Sequence, residues 1–289
     1  NHINRFLALK NVEVAAISEY RKELKAETFL PRKETIRVLQ DKYQSARRWK
    51  DAGFPSIKAV ELRGDHLEED IKRAFQELGN KIWIRAKRGA GGTGSTPAEN
   101  AETALHWIGY WLSRNKKWHF IAQEYLPGRN IDFQSVWHEG ELIASQARER
   151  IEYIYPYLAP SGITGTPTVA KTVHEKEVND MATKAVLTID PSATGVFCVD
   201  MKGDQDGNFC PTEINAGRFF TTSYFFSLAS KRYDQPKANM PNVLAKLAFG
   251  EEVPKEPKYD LLPENLYWIR HIDCSQHLIE GLDLARPLE

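Results

Sequence analysis

The sequence predicts an α+β fold built on antiparallel sheets. Strand-like runs over residues 131–137 and 142–148 are separated only by a short turn at Glu139-Gly140. Runs over 196–201 and 208–215 flank Asp206-Gly207, a dipeptide that favours a tight hairpin because glycine, and aspartate to a lesser degree, accept positive φ. Strands joined in this way pair antiparallel. The other strands and helices do not alternate as βαβ units, and nothing repeats at a period of about 20–50 residues.

From the N-terminus, Val12-Glu13-Val14-Ala15-Ala16-Ile17 reads as a short strand, followed by a charged connection to about Pro31. Over residues 33–50 the apolar side chains Ile36, Leu39, Tyr43, Ala46 and Trp49 fall three or four apart, which predicts one amphipathic helix stopped by Gly53 and Pro55. A strand is expected over 57–60 and a helix over 67–78, with Gly79-Asn80 as its stop. Residues 81–87 alternate as a strand and run into a glycine-rich loop over 89–94. Thr96-Pro97-Ala98-Glu99 has the form of a capping box with proline at the first helical position, opening a helix to about Leu112. Residues 120–126 form a strand ending at Pro127-Gly128. After the first hairpin come a loop rich in Gly, Pro and Thr over 160–167 and a helix over 175–189. Beyond the second hairpin and Phe225, helix and proline-punctuated loop lead to a last strand over 267–272.

The chain has 289 residues, 42% hydrophobic and 27% charged, enough to bury a sizeable core. That length fits one large domain or roughly two of about 100–200 residues. The 39 basic and 39 acidic side chains cancel, which argues against nucleic-acid binding as the main activity but leaves room for local charge of either sign. Cys198, Cys210 and Cys274 are widely spaced with no CxxC pair, so neither a disulfide framework nor a zinc knuckle is indicated; buried thiols in a reducing compartment, the cytoplasm, are expected. No apolar run approaches the roughly 18 residues of a membrane span, and no signal-peptide core follows Asn1. The chain does not begin with Met and reads as a fragment.

The sharpest constellation is the second hairpin. With the turn at Asp206-Gly207, Gln205 pairs with Asn208 and counting outward sets Asp200 opposite Glu213, with Asn215 on the same face as Glu213. Two carboxylates across an antiparallel pair repel unless positive charge lies between them, and magnesium, which takes carboxylate, phosphate and water oxygens, would supply it. A solvated surface hairpin is the alternative. An EF-hand is excluded by spacing, and Asp204 and Asp206 read as turn residues.

Residues 81–87 place Lys81, Trp83, Arg85 and Lys87 on one face. The loop Gly89-Ala90-Gly91-Gly92-Thr93-Gly94 contains GxGxxG, but the preceding strand is not the continuously apolar one of a Rossmann start, and no Gly-Lys-Ser/Thr follows. A glycine cover over phosphates with Arg85 or Lys87 as charged contacts is the reading that remains; a polar loop among surface charges is the alternative.

In this order the segments resemble an ATP-grasp enzyme, and in particular the ATP-binding half of the carbamoyl-phosphate synthase large chain and related carboxylate–amine ligases. The resemblance is carried by Asp41-Lys42, Arg85 with Gly91-Gly92-Thr93-Gly94, Gln123-Glu124-Tyr125-Leu126-Pro127-Gly128, Asp200, and Glu213-Ile214-Asn215, over about residues 40–220. It implies two α+β lobes with antiparallel sheets enclosing ATP. Residues 32–289 would form the ATP-grasp domain, with a small nucleotide-covering lobe at about 56–122, and residues 1–31 a lead-in or the remnant of an N-terminal domain that is truncated or absent. Lys42, Arg85 and Lys87 would contact phosphates beneath the glycine cover. Glu124 and Leu126 match the adenine hinge, and Asp132 lies near the family's ribose-binding acid. Asp200, Glu213 and Asn215 match the Mg2+ (or Mn2+) ligands.

Such enzymes phosphorylate a carboxylate and pass the acyl phosphate to an amine. Arg148, Arg150 and Arg218 are candidates for holding the acceptor carboxylate, since a guanidinium fork suits planar oxyanions. Three departures from the family pattern are visible. Ala216-Gly217-Arg218 adds one residue before the arginine, Ile163 stands where the synthase's Thr-Gly segment would have His, and only 41 residues precede Lys42. The expected activity is therefore a carboxylate–amine ligase. Synthase-like phosphorylation of bicarbonate or carbamate, and a non-catalytic nucleotide-binding module, are the alternatives. The expected partners are small-molecule carboxylate and amine substrates, with no nucleic acid and no membrane; a homo-oligomer or a partner domain stays open.

Overall fold

The computed structural model describes residues 4–220, 222–272 and 274–281. In chain order the first half contains β1 (Arg5–Phe6), α1 (Asn11–Glu19), β2 (Glu27–Thr28), α2 (Lys33–Leu39), α3 (Lys42–Asp51), β3 (Ala59–Leu62), α4 (Leu67–Leu78), β4 (Ile82–Ala86), β5 (Thr96–Ala98), α5 (Ala101–Arg114) and β6 (Phe120–Glu124). The second half contains β7 (Asn130–His138), β8 (Glu141–Tyr153), β9 (Pro167–Val173), α6 (Lys176–Ile189), β10 (Gly195–Gly203), β11 (Phe209–Ala216), α7 (Tyr224–Arg232), α8 (Met240–Ala248), β12 (Leu266–His271) and β13 (Cys274–Glu280). The fold is α+β, and every pairing in its two large sheets is antiparallel.

A four-stranded sheet, in the order β3-β6-β4-β5, lays Val60, Leu62, Ile82, Ile84, Phe120 and Ala122 against Ile71 and Ala74 of α4 and Ala104 and Ile108 of α5. The strands alternate, so Trp83, Arg85 and Gln123 face the other way and line a cavity. The larger sheet, β11-β10-β7-β8-β9-β12-β13, has helices on both faces. On one side Phe133, Trp137, Phe197 and Val199 pack with Trp49 of α3 and Val178, Ala182 and Val186 of α6. On the other, Val136, Ala144, Val196, Cys198 and Trp268 pack with Phe225 and Phe226 of α7 and Met240 and Leu244 of α8.

Several elements differ from expectation for local reasons. Residues 12–17 are helical, within α1, not a strand: Glu13 accepts from the backbone N–H groups of Leu9 and Lys10 at 2.9 and 3.0 Å, closing the first turn. The single helix expected over 33–50 is two, because Asp41 leaves helical geometry to cap α3 through Gln44 N at 3.1 Å. That break sets Lys42 at the head of α3. Thr96-Pro97-Ala98 is not a cap but β5, on the sheet edge where a proline is tolerated. The true cap is Asn100, whose Oδ1 accepts from Thr103 N at 2.8 Å. Strands β9 and β13 had no sequence expectation.

The second hairpin sets Asp200 opposite Glu213 as expected, by a different route. Its loop spans residues 205–207, one longer than the expected turn, with Gly207 at φ 86° and Asp204 accepting from the backbone N–H groups of Asp206 and Asn208. A bulge between Asp200 and Met201 returns the register, since Met201 pairs with Pro211 and Thr212 is the extra residue.

Candidate active site

Two cavities, of about 720 and 500 Å³, open between the sheets. The smaller is lined by Trp83, Arg85 and the strand end Gln123-Glu124-Tyr125-Leu126 on one side and by Lys202 and Thr212 on the other. The larger is lined by α1, α2, Lys42, the start of the glycine loop, residues 163–166, Asn215 and Arg218. Gly92, Arg150, Tyr153, Ile163, Asp200 and Glu213 line both. The acidic pair is thus where the cavities meet.

The hairpin, α3 and β4 bring four charges together there. Glu213 Oε2 receives Arg85 Nη2 at 2.9 Å and Lys42 Nζ at 3.2 Å. Burial would raise the pKa of Glu213, but Arg85 and Lys42 outweigh it and hold the group at about 2. Asp200 Oδ1 pairs with Arg150 Nη2 at 2.5 Å and Oδ2 accepts from the Asn215 amide at 3.1 Å. Burial dominates at Asp200 and, despite Arg150, pushes its pKa to about 6. Burial also lowers the pKa of Lys42, whose Nζ donates to Gly89 O at 2.7 Å.

Asp200, Glu213 and Asn215 offer only hard oxygen donors, which fit a divalent cation that keeps water and phosphate ligands. Among the described residues no three His, Cys, Asp or Glu side chains gather as a complete protein-made metal cage. Such a cation would have to complete its shell from substrate and solvent.

The structure brings Lys42, Arg85, Gly91, Gly92, Glu124, Leu126, Arg150, Asp200, Glu213, Asn215 and Arg218 to the cavity walls. Five expected contacts lie elsewhere. Lys87 lines neither cavity and pairs instead with Asp41, at 3.5 Å, and Glu61. Asp132 is not free to take a ribose: it is buried beneath the site with Arg148 Nε at 2.9 Å on one oxygen and Arg150 Nε at 3.0 Å on the other. Arg148 is no acceptor clamp, being fully buried, bonded to Thr222 at 2.9 Å and set 4.5 Å from the Trp268 ring. Thr93 and Gly94 support the loop without lining a cavity. Gly94 sits at φ 74°, and its carbonyl accepts from Trp107 Nε1 at 3.0 Å.

The glycine loop touches the 160–167 loop across the opening. A Cβ on Gly92 would stand 2.7 Å from Ile163 O, and one on Gly165 would stand 2.7 Å from Gly91 Cα. Only residues without side chains allow that approach.

Three lining residues escaped the sequence reading. Lys202, two positions after Asp200, reaches Leu126 O at 3.4 Å, and burial lowers its pKa. Its spacing from Asp200 was the available signal. Tyr153 lines both cavities, and its hydroxyl accepts from Asn130 at 2.7 Å; burial raises its pKa. Asn11 supports Arg218 and Asn215 from more than two hundred residues away, with no local signal.

Two α+β lobes closing on a cleft in this way make the ATP-grasp fold. Solved structures share it. One is the biotin carboxylase domain dimer of Hydrogenobacter thermophilus 2-oxoglutarate carboxylase with MgADP, ADP and bicarbonate (17% identity, 88% of this chain and 55% of that one, TM-score 0.67). Another is Aspergillus clavatus carboxyaminoimidazole ribonucleotide synthase with ATP (14% identity, 92% and 65% covered, TM-score 0.67). A third is Enterococcus faecalis D-Ala:D-Ser ligase (18% identity, 74% and 62% covered, TM-score 0.57). The chain therefore spans 55–65% of the length of these structures. No protein-family model matches the sequence, and no curated protein does. Among the described residues no helix is long and apolar enough to cross a membrane.

Proposed function

We propose that the chain is the catalytic region of an ATP- and Mg2+-dependent ligase that activates a carboxylate as an acyl phosphate for attack by an amine. The meeting of the two cavities at Asp200 and Glu213 carries this reading, because a phosphoryl donor in one and an acceptor in the other would touch beside this acidic pair. The smaller cavity, with its hinge at Glu124 and Leu126, is assigned to the nucleotide and the larger to the acceptor. The lead-in segment contributes, in this reading, to the acceptor cavity, since Leu9, Asn11 and Ala15 line it. The cytoplasm is the expected setting, and small-molecule substrates the expected partners.

Asp200, Glu213 and Asn215 would hold Mg2+ (or Mn2+), which when bound neutralises phosphate charge. As the triphosphate enters, Arg85 and Lys42 exchange Glu213 for phosphate oxygens, and Gly91 and Gly92 let the backbone close over them. Arg150, fixed by Asp132 and Asp200, and Arg218, fixed by Asn11 and Asn215, orient the acceptor carboxylate. Its oxygen attacks the γ-phosphorus as the bond to the β-phosphate oxygen breaks and ADP leaves. The amine then attacks the acyl carbon, inorganic phosphate departs, and the amine loses a proton to solvent.

The test is ADP release from ATP and Mg2+ with a panel of carboxylates and amines. Stimulation by a carboxylate, abolished in Glu213→Gln, is the expected result. ATP binding without stimulation by any acid would refute the ligase reading in favour of a binding module. Stimulation by bicarbonate alone would point to synthase-like chemistry.

A further inference from the structure

The acceptor cavity has a composition that the reaction alone does not require. Its lining side chains include five cationic groups, Lys10, Lys42, Arg88, Arg150 and Arg218, against two acids, Asp200 and Glu213. Both acids are already committed to cations at the junction. Elsewhere in this cavity no lining side chain among the described residues is a carboxylate.

Of the cations away from the junction, Arg88 pairs with Asp41 at 3.7 Å and Lys10 is exposed, whereas Arg218 is half-buried. It is held by neutral acceptors: Asn11 Oδ1, the Phe219 carbonyl at 3.0 Å and Asn215 Oδ1 at 2.8 Å. Among the described residues it forms no ion pair with a carboxylate, so its orientation is fixed while its charge stays uncompensated. A guanidinium fork fixed in this way selects a planar oxyanion.

Beside this charge, which α1 itself holds through Asn11, the wall turns apolar. Ile36 and Leu39 of α2 form its buried part and Ala15 its middle, while Leu9 and Val12 stand at the rim with 76% and 73% of their surface exposed. Apolar side chains left in water beside a cavity are the mark of an occupant that covers them. An ammonium group lodged against this wall would meet no lining carboxylate, since Glu13 nearby is taken up by the backbone N–H groups of Leu9 and Lys10, and would lose hydration with little compensation.

Resting on the ligase reading above, we infer that the acceptor is an amphiphilic acid: a carboxylate near Arg218, an apolar body along α1 and α2, and no ammonium on that body. This separates it from a zwitterionic amino acid and from a one-carbon acid, which would leave most of a 720 Å³ cavity unfilled.

Calorimetric titration of the chain saturated with MgADP tests this with four matched probes: octanoate, 2-aminooctanoate, octanamide and acetate. Octanoate should bind at least tenfold more tightly than each of the other three. Val12→Asp, at an exposed position that leaves the fold intact, should weaken octanoate at least tenfold and leave ADP affinity unchanged. Equal or tighter binding of 2-aminooctanoate or acetate overturns the inference, as does a Val12→Asp variant that binds octanoate normally. Absence of binding by all four also overturns it. ADP release measured alongside separates the two failures: turnover with 2-aminooctanoate sinks only this inference, whereas no turnover with any acid sinks the ligase reading as well.

Discussion

If Glu213 is a metal ligand as proposed, removal of Arg85 should open a site that the nucleotide-free protein keeps closed. Arg85 and Lys42 lie 2.9 and 3.2 Å from the same oxygen of Glu213 and hold its pKa at about 2 rather than 4.5. The difference corresponds to about 3 kcal/mol in favour of the ionised, cation-bound group. A divalent ion that takes this oxygen forfeits that stabilisation unless phosphates draw the two side chains away first. Without nucleotide, metal affinity should therefore be lower by a factor of up to about 10² than the oxygens alone would give. Titration of Mn2+ followed by electron paramagnetic resonance at pH 7.5 reads this directly. Arg85→Met should bind Mn2+ about tenfold more tightly than the parent chain, with each cation accounting for roughly half of the effect. Adding Glu213→Gln should reverse the gain, and Mn2+ should raise the melting temperature of Arg85→Met more than that of the parent. Unchanged or weaker Mn2+ binding by Arg85→Met would show that the two cations do not guard the site.

Four further outcomes follow from the same geometry. Asp200 has a folded pKa of about 6 against an ordinary 3.8, so the fold disfavours its ionised form; this cost appears as pH rises from about 4 to 6 and is fully present above. Asp200→Asn should then gain about 1–3 kcal/mol at pH 7.5 in urea unfolding and nothing below pH 4, while losing turnover. Glu213 has the opposite sign: its stabilisation is complete above about pH 4.5 and fades toward pH 2, so Glu213→Gln should be less stable at neutral pH. Arg148→Met should lose about 3–5 kcal/mol of stability by leaving Asp132 half-paired in the interior; a stable variant with a raised acceptor KM would restore the clamp role. Gly165→Ala places a Cβ 2.7 Å from Gly91 Cα at φ 79°, so ATP affinity should fall severalfold with a global stability change of only about 1 kcal/mol, measured by calorimetry and thermal melting.

The sequence made the periodic elements visible. The helix over residues 67–78 matches α4 at both ends because its apolar spacing and its Gly79 stop agree. The Asp200–Glu213 pairing was legible because hairpin counting needs only local information, although loop and bulge each shifted it by one. Errors arose where one short motif serves two structures. Val12 to Ile17 is apolar enough for either strand or helix, and Thr96-Pro97 suits an edge strand as well as a cap. Depth was not legible. Arg148 and Arg150 lie two residues apart on β8, yet Arg150 lines both cavities while Arg148 is sealed under aromatic rings, because the packing of α7 and β12 decides which guanidinium water can reach. Asn11 depends on a contact across the whole chain, which no local pattern encodes.

The bulge at Thr212 has a practical consequence. Its hydroxyl donates to Asp200 O at 3.1 Å, so the alignment of the two acids is pinned from within the ladder and not from the tip of the hairpin. The exposed residues 205–208 are then a place where the chain can be lengthened with little effect on the chemistry. A fluorophore or short tag inserted there would ride one strand's length from the acidic pair, a built-in reporter position for events in the cleft.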